Sequence, residues 1–530
     1  MLAPGIDRTH KISALAFILA ITVLLWRVLS EATVTEDAYI TFRVVHNFVE
    51  GYGLRWNVTE RVQTYTNPLW MLIHIPFYAL FGNIHFVTLA ISLICTAGTV
   101  WLLADSLRTH WVKWLCVLIV PLALSRSFVV YSTSGLENPL THLLFAAFVW
   151  VLLRGREDKR WFWMVLWACL SMVNRLDTLF FYAPIFLWLA IARRQLPDIR
   201  QSILGSLPLL AWLLFSLIYY GFVFPNTKYA KLNGGFPEIQ YINRGINYVG
   251  NLVAMDTIGA LCVGLAVSLL LWRRLLAGQC QHLSALTAVG LGVLGYVLYV
   301  VYVGGNHLTG RFWSLHVTAA IWVVAAVFVQ LRTQLCLNLA ACLLLYTAIA
   351  PNVTWWKTSC KRCFSSISNV PIDLKLNGLR GKLVSPFPPG AKEYRYLSRF
   401  KNWPEVAKRH KSLLRITDMV GIAGFHSGPS VYYIDTMGIA DPLLGRLPGY
   451  QNRLVMTGHI KRRIPKGYSE AALTGNTAGM HTALAEYYQK LRLIITSDIW
   501  SVERFKTIVL FNAGTYDHLL DEYIESGEPF

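Results

Sequence analysis

The sequence predicts a polytopic α-helical membrane protein with about eleven transmembrane helices, followed by a C-terminal α/β domain. Hydrophobic residues make up 55% of the 530-residue chain and charged residues only 15%. The mean hydropathy is +0.44, which is outside the range of soluble globular chains. Long apolar segments recur between residues 12 and 351, and charged residues return after Pro351. We therefore predict a membrane domain over 1–351 and a soluble domain over 352–530.

Each predicted span is an apolar segment with polar or charged residues at its ends. The first follows Arg8 and Lys11 without a small-residue cleavage pattern, so we predict a retained span and not a removed signal peptide. Segment 68–82 would cover only about 22 Å as a helix and contains Pro76, so we predict an interfacial helix there. The eleven predicted spans are 12–29, 84–106, 112–131, 138–153, 160–174, 178–192, 202–222, 252–272, 284–304, 311–331 and 335–351.

The distribution of Lys and Arg predicts the orientation of the chain. These residues concentrate on alternate connections: 154–160 contains four of them, whereas 132–137 contains none. Counting 68–82 as a span would reverse every later connection and remove this alternation. Because basic residues favour the cytoplasmic side, we predict a bacterial inner-membrane protein with a cytoplasmic N-terminus. The loops 30–83 and 223–251 and the soluble domain then lie in the periplasm.

The soluble domain shows the mixed pattern of a small α/β unit. Short apolar runs predict strands at 431–434, 493–496 and 507–510, and helical periodicity predicts helices at 482–490 and 516–524. Cys360 and Cys363 in this domain predict a local disulfide, with a redox or metal pair as the alternative. Segment 357–415 is strongly basic and would contact anionic headgroups, an acidic acceptor or only solvent. In the periplasm, nucleic acid is not an expected partner.

Two acids, Glu36 and Asp37, directly follow the first predicted span. Paired carboxylates at a membrane surface can serve as a general base, a nucleophile or ligands of a divalent cation. The structural alternative is an acidic helix start that is stabilised by the helix dipole. The segment that follows, 37–49, can form an amphipathic helix on the membrane surface.

Other charged residues mark the predicted periplasmic ends of later spans. Glu137 and Asp177 lie between apolar segments, where acids are costly and often functional. An ion pair of Arg175 with either acid is the structural alternative. Arg43, Arg175 and Arg311 could hold a phosphate by charge-assisted hydrogen bonds, or could instead reach lipid headgroups.

Several short motifs occur in order along the chain. They are 36–43 (EDAYITFR), 46–54 (HNFVEGYGL), 66–70 (TNPLW), 134–137 (SGLE), 304–307 (GGNH) with 310–311 (GR), and 433–442 (YIDTMGIADP). Together they resemble the arabinofuranosyltransferases of the GT-C superfamily, whose donor is polyprenyl-phosphate-linked arabinofuranose. Asn306 departs from the pattern, because an aspartate is expected at that place.

The resemblance implies a GT-C fold and a transferase that moves arabinofuranose or a related pentose. The donor would be a polyprenyl phosphate, and the acceptor a type IV pilin or a cell-envelope glycan. A transporter or flippase of lipid-linked sugars is the alternative function. No cofactor is implied with certainty; a divalent cation at Asp37 is one option. The implied catalytic residues are Asp37, Glu36 and Glu137, and the implied substrate-binding residues are Arg43, Asn57, Thr66, Asn67, Arg175, Asp177, Tyr229, Lys231, Asn306, His307 and Arg311.

Overall fold

The structure is a computed structural model that describes residues 4–107, 109–193, 198–232, 234–272, 282–306, 308–349, 369–371, 413–418, 420–450 and 458–527. It is predominantly helical, as predicted. Its contacts divide the chain into two units. Unit 1 contains the described residues of Met1–Val34, His85–Pro208 and Ile242–Pro386, and unit 2 those of Thr35–Ile84, Leu209–Tyr241 and Phe387–Phe530.

The first part of the chain contains α1 (Pro4–Ser30), β1 (Thr33–Thr35), α2 (Glu36–Val49), α3 (Pro68–Phe81) and α4 (Ile84–Leu107). Next come α5 (Trp111–Trp114), a π-helical turn (Leu115–Ile119), α6 (Val120–Leu124), α7 (Arg126–Tyr131), α8 (Asn138–Arg154) and α9 (Arg160–Asn174). A 3₁₀ turn (Leu176–Thr178) leads to α10 (Leu179–Arg193), α11 (Ile199–Tyr220), α12 (Asn226–Leu232), α13 (Glu238–Met255), α14 (Thr257–Trp272), α15 (Leu283–Tyr302), α16 (Trp313–Phe328) and α17 (Thr333–Ile349).

The C-terminal part contains short strands and helices. Its elements are β2 (Asn369–Pro371), β3 (Leu413–Thr417), α18 (Gly421–Ser427), β4 (Val431–Asp435), a 3₁₀ turn (Leu444–Arg446), α19 (Tyr468–Thr474), α20 (Thr482–Thr496), α21 (Val502–Asn512) and α22 (Asp517–Glu525). Strands β3 and β4 pair in parallel, with Leu413 opposite Val431. A parallel pair needs a crossover connection, and α18 lies in that connection.

Three helices of the described chain, α4, α11 and α15, are long and apolar enough to cross a membrane, and α13 with α14 would make a fourth across a bend of 118°. Asp256 lies at this bend. Its carboxylate accepts hydrogen bonds from Ser125 Oγ at 2.6 Å and from the backbone N–H groups of Ser127 at 2.8 Å and Gly259 at 2.9 Å. Shorter apolar helices account for further predicted spans, and the count of eleven stays a prediction.

Unit 1 is built around closely packed apolar helices. Helix α15 approaches α10 at Gly292 and Gly295, where an added Cβ would lie 2.7 Å from the carbonyl oxygens of Phe181 and Phe180 respectively. Phe180 stacks on Tyr299 of α15 with ring centroids 4.4 Å apart. Glycine therefore permits a backbone contact that any larger residue would block.

Unit 2 has its own hydrophobic core, in which Ile434 of β4 packs with Tyr468, Leu484, Ile494 and Ile508. The predicted strand at 431–434 and helices at 482–490 and 516–524 are present. The predicted strands at 493–496 and 507–510 are wrong, because these segments lie in α20 and α21. Their short apolar runs resemble strands, but the buried positions of each segment recur at helical spacing.

Helix α2 also differs from its prediction. All eight side chains from Ala38 to Val45 are buried, so this part of the helix is not a surface helix with one apolar face. The segment 68–82 forms α3, which ends at Gly82 in a left-handed conformation. The boundary predicted between residues 351 and 352 lies outside the described residues and stays a prediction.

Candidate functional site

The two acids of the first loop occupy the first turn of α2 in unit 2. Glu36 Oε1 accepts hydrogen bonds from the backbone N–H groups of Gly421 at 2.5 Å and Ile422 at 3.3 Å. Burial, followed by the nearby charge of Asp37, raises the pKa of Glu36 to about 8. Glu36 is therefore mostly protonated at neutral pH. Its hydrogen bonds hold α2 against the backbone of α18.

Asp37 is the next residue of α2. Its side chain is half-buried, as that of Glu36 is, and it lies one residue beyond the side chain that α18 holds. Gly421 is part of this arrangement, since an added Cβ would lie 2.1 Å from the Glu36 carbonyl oxygen and 2.7 Å from Glu36 Oε1. The catalytic role of Asp37 stays a prediction.

Arg43 is buried one full turn or more beyond the acids. Its Nε donates to the Trp56 carbonyl oxygen at 2.8 Å, Nη1 to Gly424 at 2.7 Å and Nη2 to Val431 at 2.8 Å. The guanidinium also lies 4.2 Å from the Trp56 ring centroid. All three nitrogens thus serve the fold, and we leave Arg43 out of the donor-binding site that the sequence predicted.

Asn57 joins the first loop to β4. Its Nδ2 donates to the Tyr433 carbonyl oxygen at 3.0 Å, and its Oδ1 accepts from the Tyr433 N–H at 3.1 Å. Nδ2 also donates to Glu60 Oε1 at 2.9 Å. Asn67 precedes α3 and accepts from Thr41 Oγ1 at 3.0 Å, whereas Thr66 beside it is half-buried. The predicted sugar-binding residues of this loop therefore include two, Asn57 and Asn67, that hold backbone or side-chain partners within unit 2.

In the second loop, Tyr229 and Lys231 both lie on α12. The Tyr229 ring is 4.4 Å from the Arg446 guanidinium, which also lies 4.5 Å from the Phe222 ring. Asn226 on the same helix donates to the carbonyl oxygens of Gly438, Ile439 and Asp441. Helix α12 is thus fastened to the motif that begins at residue 433, and the roles of Tyr229 and Lys231 in sugar binding stay predictions.

Three buried acids of unit 2 were not among the predicted site residues. Asp435 accepts from the N–H groups of Met437 at 2.9 Å and Ala440 at 2.8 Å. Asp441 Oδ1 accepts from Tyr468 Oη at 2.8 Å, and Glu60 Oε2 from Tyr432 Oη at 3.2 Å. Burial raises the pKa of Asp435 to about 6, of Asp441 to about 8 and of Glu60 to about 7. The sequence carried a signal for two of these acids, because Asp435 and Asp441 lie within the 433–442 motif.

The raised pKa values predict that unit 2 loses stability as pH rises. The folded-state pKa of Asp441, about 8, exceeds that of an unfolded aspartate, about 3.9. The folded state therefore binds the proton more tightly, and the free energy of unfolding falls between about pH 4 and pH 8. We expect the D441N variant to reduce this decline, measured as protease resistance of residues 468–527 on heating at pH 6 and pH 8.5. The exposed acid Asp521 gives the control, because D521N should keep the wild-type pH dependence; an unchanged decline in D441N would contradict the assignment.

Four of the predicted residues meet in unit 1. Arg175 Nη1 donates to Glu137 Oε1 at 2.6 Å, and its Nε and Nη2 donate to Asp177 Oδ1 at 2.9 Å and Oδ2 at 2.5 Å. Arg311 Nη2 donates to both carboxylate oxygens of Glu137 at 3.3 and 3.4 Å. Tyr296 Oη donates to Asp177 at 3.0 Å. The ion pair that the sequence offered as an alternative is thus present, with Arg175 bonded to both acids.

This network has a consequence for each member's chemistry. Glu137 is fully buried and bound by two arginines, so it is poorly placed to take a proton from a substrate. Burial acting alone would raise the pKa of Asp177, but Arg175 beside it holds that pKa below its ordinary value. The contacts of Arg311 with Glu137 are longer than those of Arg175, and phosphate binding by Arg311 stays a prediction.

Asn306 lies in the turn before Arg311. Its Oδ1 accepts from the Leu308 N–H at 3.1 Å, which is a turn-forming contact that aspartate could also make. His307, Cys360 and Cys363 lie outside the described residues, as does segment 357–415 apart from 369–371 and 413–415. Within the described part of the chain, no group of three or more His, Cys, Asp and Glu side chains could hold a metal ion. Cation binding at Asp37 stays a prediction.

Comparison with known proteins agrees with the motifs. The chain is 26% identical over 345 residues to a terminal β-(1→2)-arabinofuranosyltransferase of Mycobacterium tuberculosis. The matched region covers 57% of this chain and 53% of the relative. The chain is related to arabinofuranosyltransferases. A terminal β-(1→2)-arabinofuranosyltransferase of Corynebacterium glutamicum is 23% identical over 369 residues, which cover 63% of this chain and 53% of that relative.

The matches extend over about half the length of each relative. No protein-family model matches the chain. No solved structure matches it either. The resemblance predicted from the motifs is confirmed at the level of these relatives.

Proposed function

We propose that this protein is a membrane glycosyltransferase that moves arabinofuranose from a polyprenyl-phosphate donor to an acceptor outside the cytoplasm. The observation that carries the proposal is its similarity to two terminal β-(1→2)-arabinofuranosyltransferases over 57% and 63% of the chain. The ordered motifs support it, since they include the acid pair and two residues of the unit 1 network, Glu137 and Arg311. The acceptor we propose is a type IV pilin or a cell-envelope glycan.

The reaction requires one bond to form and one to break at the anomeric carbon. The acceptor oxygen bonds to the anomeric carbon. The bond between that carbon and the phosphate oxygen breaks, and polyprenyl phosphate leaves. We assign the acceptor's proton to Asp37, acting as general base. If Asp37 instead attacks the sugar first, the same carboxylate forms the covalent intermediate that the acceptor then resolves.

A phosphate leaving group also needs positive charge. In unit 1, Arg311 is the residue we assign to this role, because its contacts with Glu137 are the longest of the network, at 3.3 and 3.4 Å. A guanidinium can bind two phosphate oxygens at once and so stabilise the charge that develops as the bond breaks. Glu137 and Arg175 then hold Arg311 in place and do not themselves react.

We also propose an orientation of the chain in the membrane. The alternation of Lys and Arg between the predicted spans supports a cytoplasmic N-terminus. It also supports a position of residues 352–530 in the periplasm of a bacterial inner membrane. The proposed fold is GT-C with about eleven spans, and the C-terminal residues form an α/β domain.

The function is tested by the product found in cells. Envelope proteins and glycans from cells with and without this protein are compared by mass spectrometry. Addition of one pentose to an acceptor should be present only in the first sample, and supplying the catalytically altered D37N variant should not restore it. An identical set of pentose-bearing products in both samples would contradict a transferase. Loss of pentose addition at all acceptors together with accumulation of the donor on the cytoplasmic side would favour a flippase.

A further inference from the structure

Helix α21 carries apolar side chains on two opposite faces. On the first face, the apolar Ile508 and Phe511 recur at helical spacing with Arg504, and all three are buried in unit 2. Val502 and Val509, seven residues apart, share the other face and are 69% and 67% exposed. A surface helix of a soluble domain normally presents polar residues there.

The segment just before α21 extends this apolar surface. Trp500 is 72% exposed, and its ring centroid lies 6.4 Å from that of Phe505. Lys506, between Val502 and Val509 on the exposed face, is itself exposed. We call the surface formed by Trp500, Val502 and Val509 the α21 surface. A tryptophan, two valines and a lysine are typical of a helix that lies at a membrane interface.

Hydrogen bonds hold α21 beside the C-terminal end of α11. Arg504 Nη2 donates to the carbonyl oxygen of Tyr219 at 3.0 Å, and Asn512 Nδ2 donates to that of Gly221 at 2.9 Å. Tyr219 is one residue from the end of α11, a 22-residue apolar helix that qualifies as a membrane span. At 1.5 Å per residue α11 is about 33 Å long and matches the ~30 Å hydrocarbon core. A span of this length places its end, and with it α21, at a bilayer surface.

The lipid-facing side of α11 leads directly to this position. Leu210 and Leu214 are exposed on one stripe of α11. Leu217, the next residue of that stripe, is partly buried against the unit 2 core that includes Ile508 and Phe511. Phe215 and Tyr219 stack with centroids 5.2 Å apart, and such aromatic residues are enriched at the interface. Packing against the unit 2 core thus begins where the exposed stripe of α11 ends.

We infer that the α21 surface contacts the interfacial region of the lipid bilayer, so that α21 is an interfacial helix beside the end of α11. Trp500 and the two valines would lie at the level of the headgroups and upper acyl chains, and Lys506 would reach the lipid phosphates. The inference does not depend on the proposed transferase activity. It goes beyond that activity by assigning a membrane contact to the C-terminal part of the chain.

The test is site-specific photocrosslinking of the full chain in liposomes of phosphatidylethanolamine and phosphatidylglycerol. Benzoylphenylalanine replaces Trp500 or Val509 in separate variants, and adducts are measured by intact mass. The same probe at Leu210 gives the reference for lipid contact, and at Glu486, an exposed polar position on α20, the reference for a solvated site. Equal elution and thermal stability of the variants show that each is folded.

We expect phospholipid adducts at Trp500 and Val509 at a yield within about threefold of that at Leu210, and at least tenfold above that at Glu486. Yields at the level of Glu486 for both positions would overturn the inference. Adducts with a second copy of the chain, or with an added soluble protein in place of lipid, would overturn it as well.

Discussion

Replacing Asp37 with asparagine is expected to reduce sugar transfer by about 10²- to 10⁴-fold, the range that removal of a general acid or base usually causes. Asparagine has nearly the same shape and can still accept a hydrogen bond, but it cannot take up the acceptor's proton or form a glycosyl ester. The measurement is transfer from a synthetic polyprenyl-phosphate arabinofuranose by membranes that contain the variant, with the product identified by mass spectrometry.

Glu36 supplies the matched control, since it is the adjacent acid. The E36Q variant keeps a side-chain oxygen for the N–H groups of Gly421 and Ile422, and a neutral amide resembles the protonated acid that burial favours. We expect E36Q to retain most of the transfer, and E36A to lose more because the contact with α18 disappears. D158N, at an exposed acid paired with Arg156, should behave as wild type. Normal transfer by D37N, or equal loss in D37N and E36Q, would contradict the assignment.

The contacts of Glu36 with the backbone of α18 show where sequence reasoning ended. The sequence placed both acids at the start of a helix after the first span, and α2 begins at Glu36. It could not separate their roles, because the group that binds Glu36 is the backbone of Gly421, 385 residues later in the chain. Every residue except proline has a backbone N–H group, so the pattern of side chains does not predict which of these groups binds Glu36.

Arg43 is a second example of the same limitation. A conspicuous arginine near an acid pair suggested phosphate binding, whereas its partners are three backbone carbonyl oxygens, two of them more than 380 residues away in the chain. By contrast, the sequence offered the ion pair of Arg175 as a structural alternative to functional roles, and the structure contains that pair. Glu137, Arg175 and Asp177 each stand at the end of an apolar segment, and charges in apolar surroundings must pair with one another. Composition and position were therefore enough to suggest this alternative.

The errors in secondary structure have a physical cause too. Residues 507–510 read as a strand because β-branched and apolar residues follow one another without polar alternation. In the structure α21 has apolar residues on two faces, one packed in unit 2 and one exposed. Hydrophobic periodicity identifies a helix only when one face is polar. The sequence of a helix with two apolar faces therefore lacks this periodicity.

Replacing Glu137 with leucine is expected to cause a large loss of stability in unit 1. The network contains two arginines and two acids, and Glu137 is the acid that both arginines contact. Without it, Arg175 keeps Asp177, whereas Arg311 loses its contact with the Glu137 carboxylate in a buried site. Breaking a buried ion pair from one side costs about 3–5 kcal/mol. The measurement is the temperature at which the buried cysteines of unit 1, such as Cys95, Cys169 and Cys262, become reactive towards a fluorescent maleimide.

The double variant E137L/R311L separates charge balance from packing. It removes one acid and one arginine, so Arg175 and Asp177 remain as a neutral pair with their contacts at 2.9 and 2.5 Å. Because a buried ion pair can often be replaced by apolar residues at little cost, we expect the double variant to recover most of the stability that E137L loses. It should nevertheless fail to transfer sugar, since Arg311 is the proposed phosphate ligand. If the double variant were less stable than E137L, Arg311 would stabilise unit 1 through contacts other than Glu137; if it transferred sugar normally, the donor phosphate would be bound elsewhere.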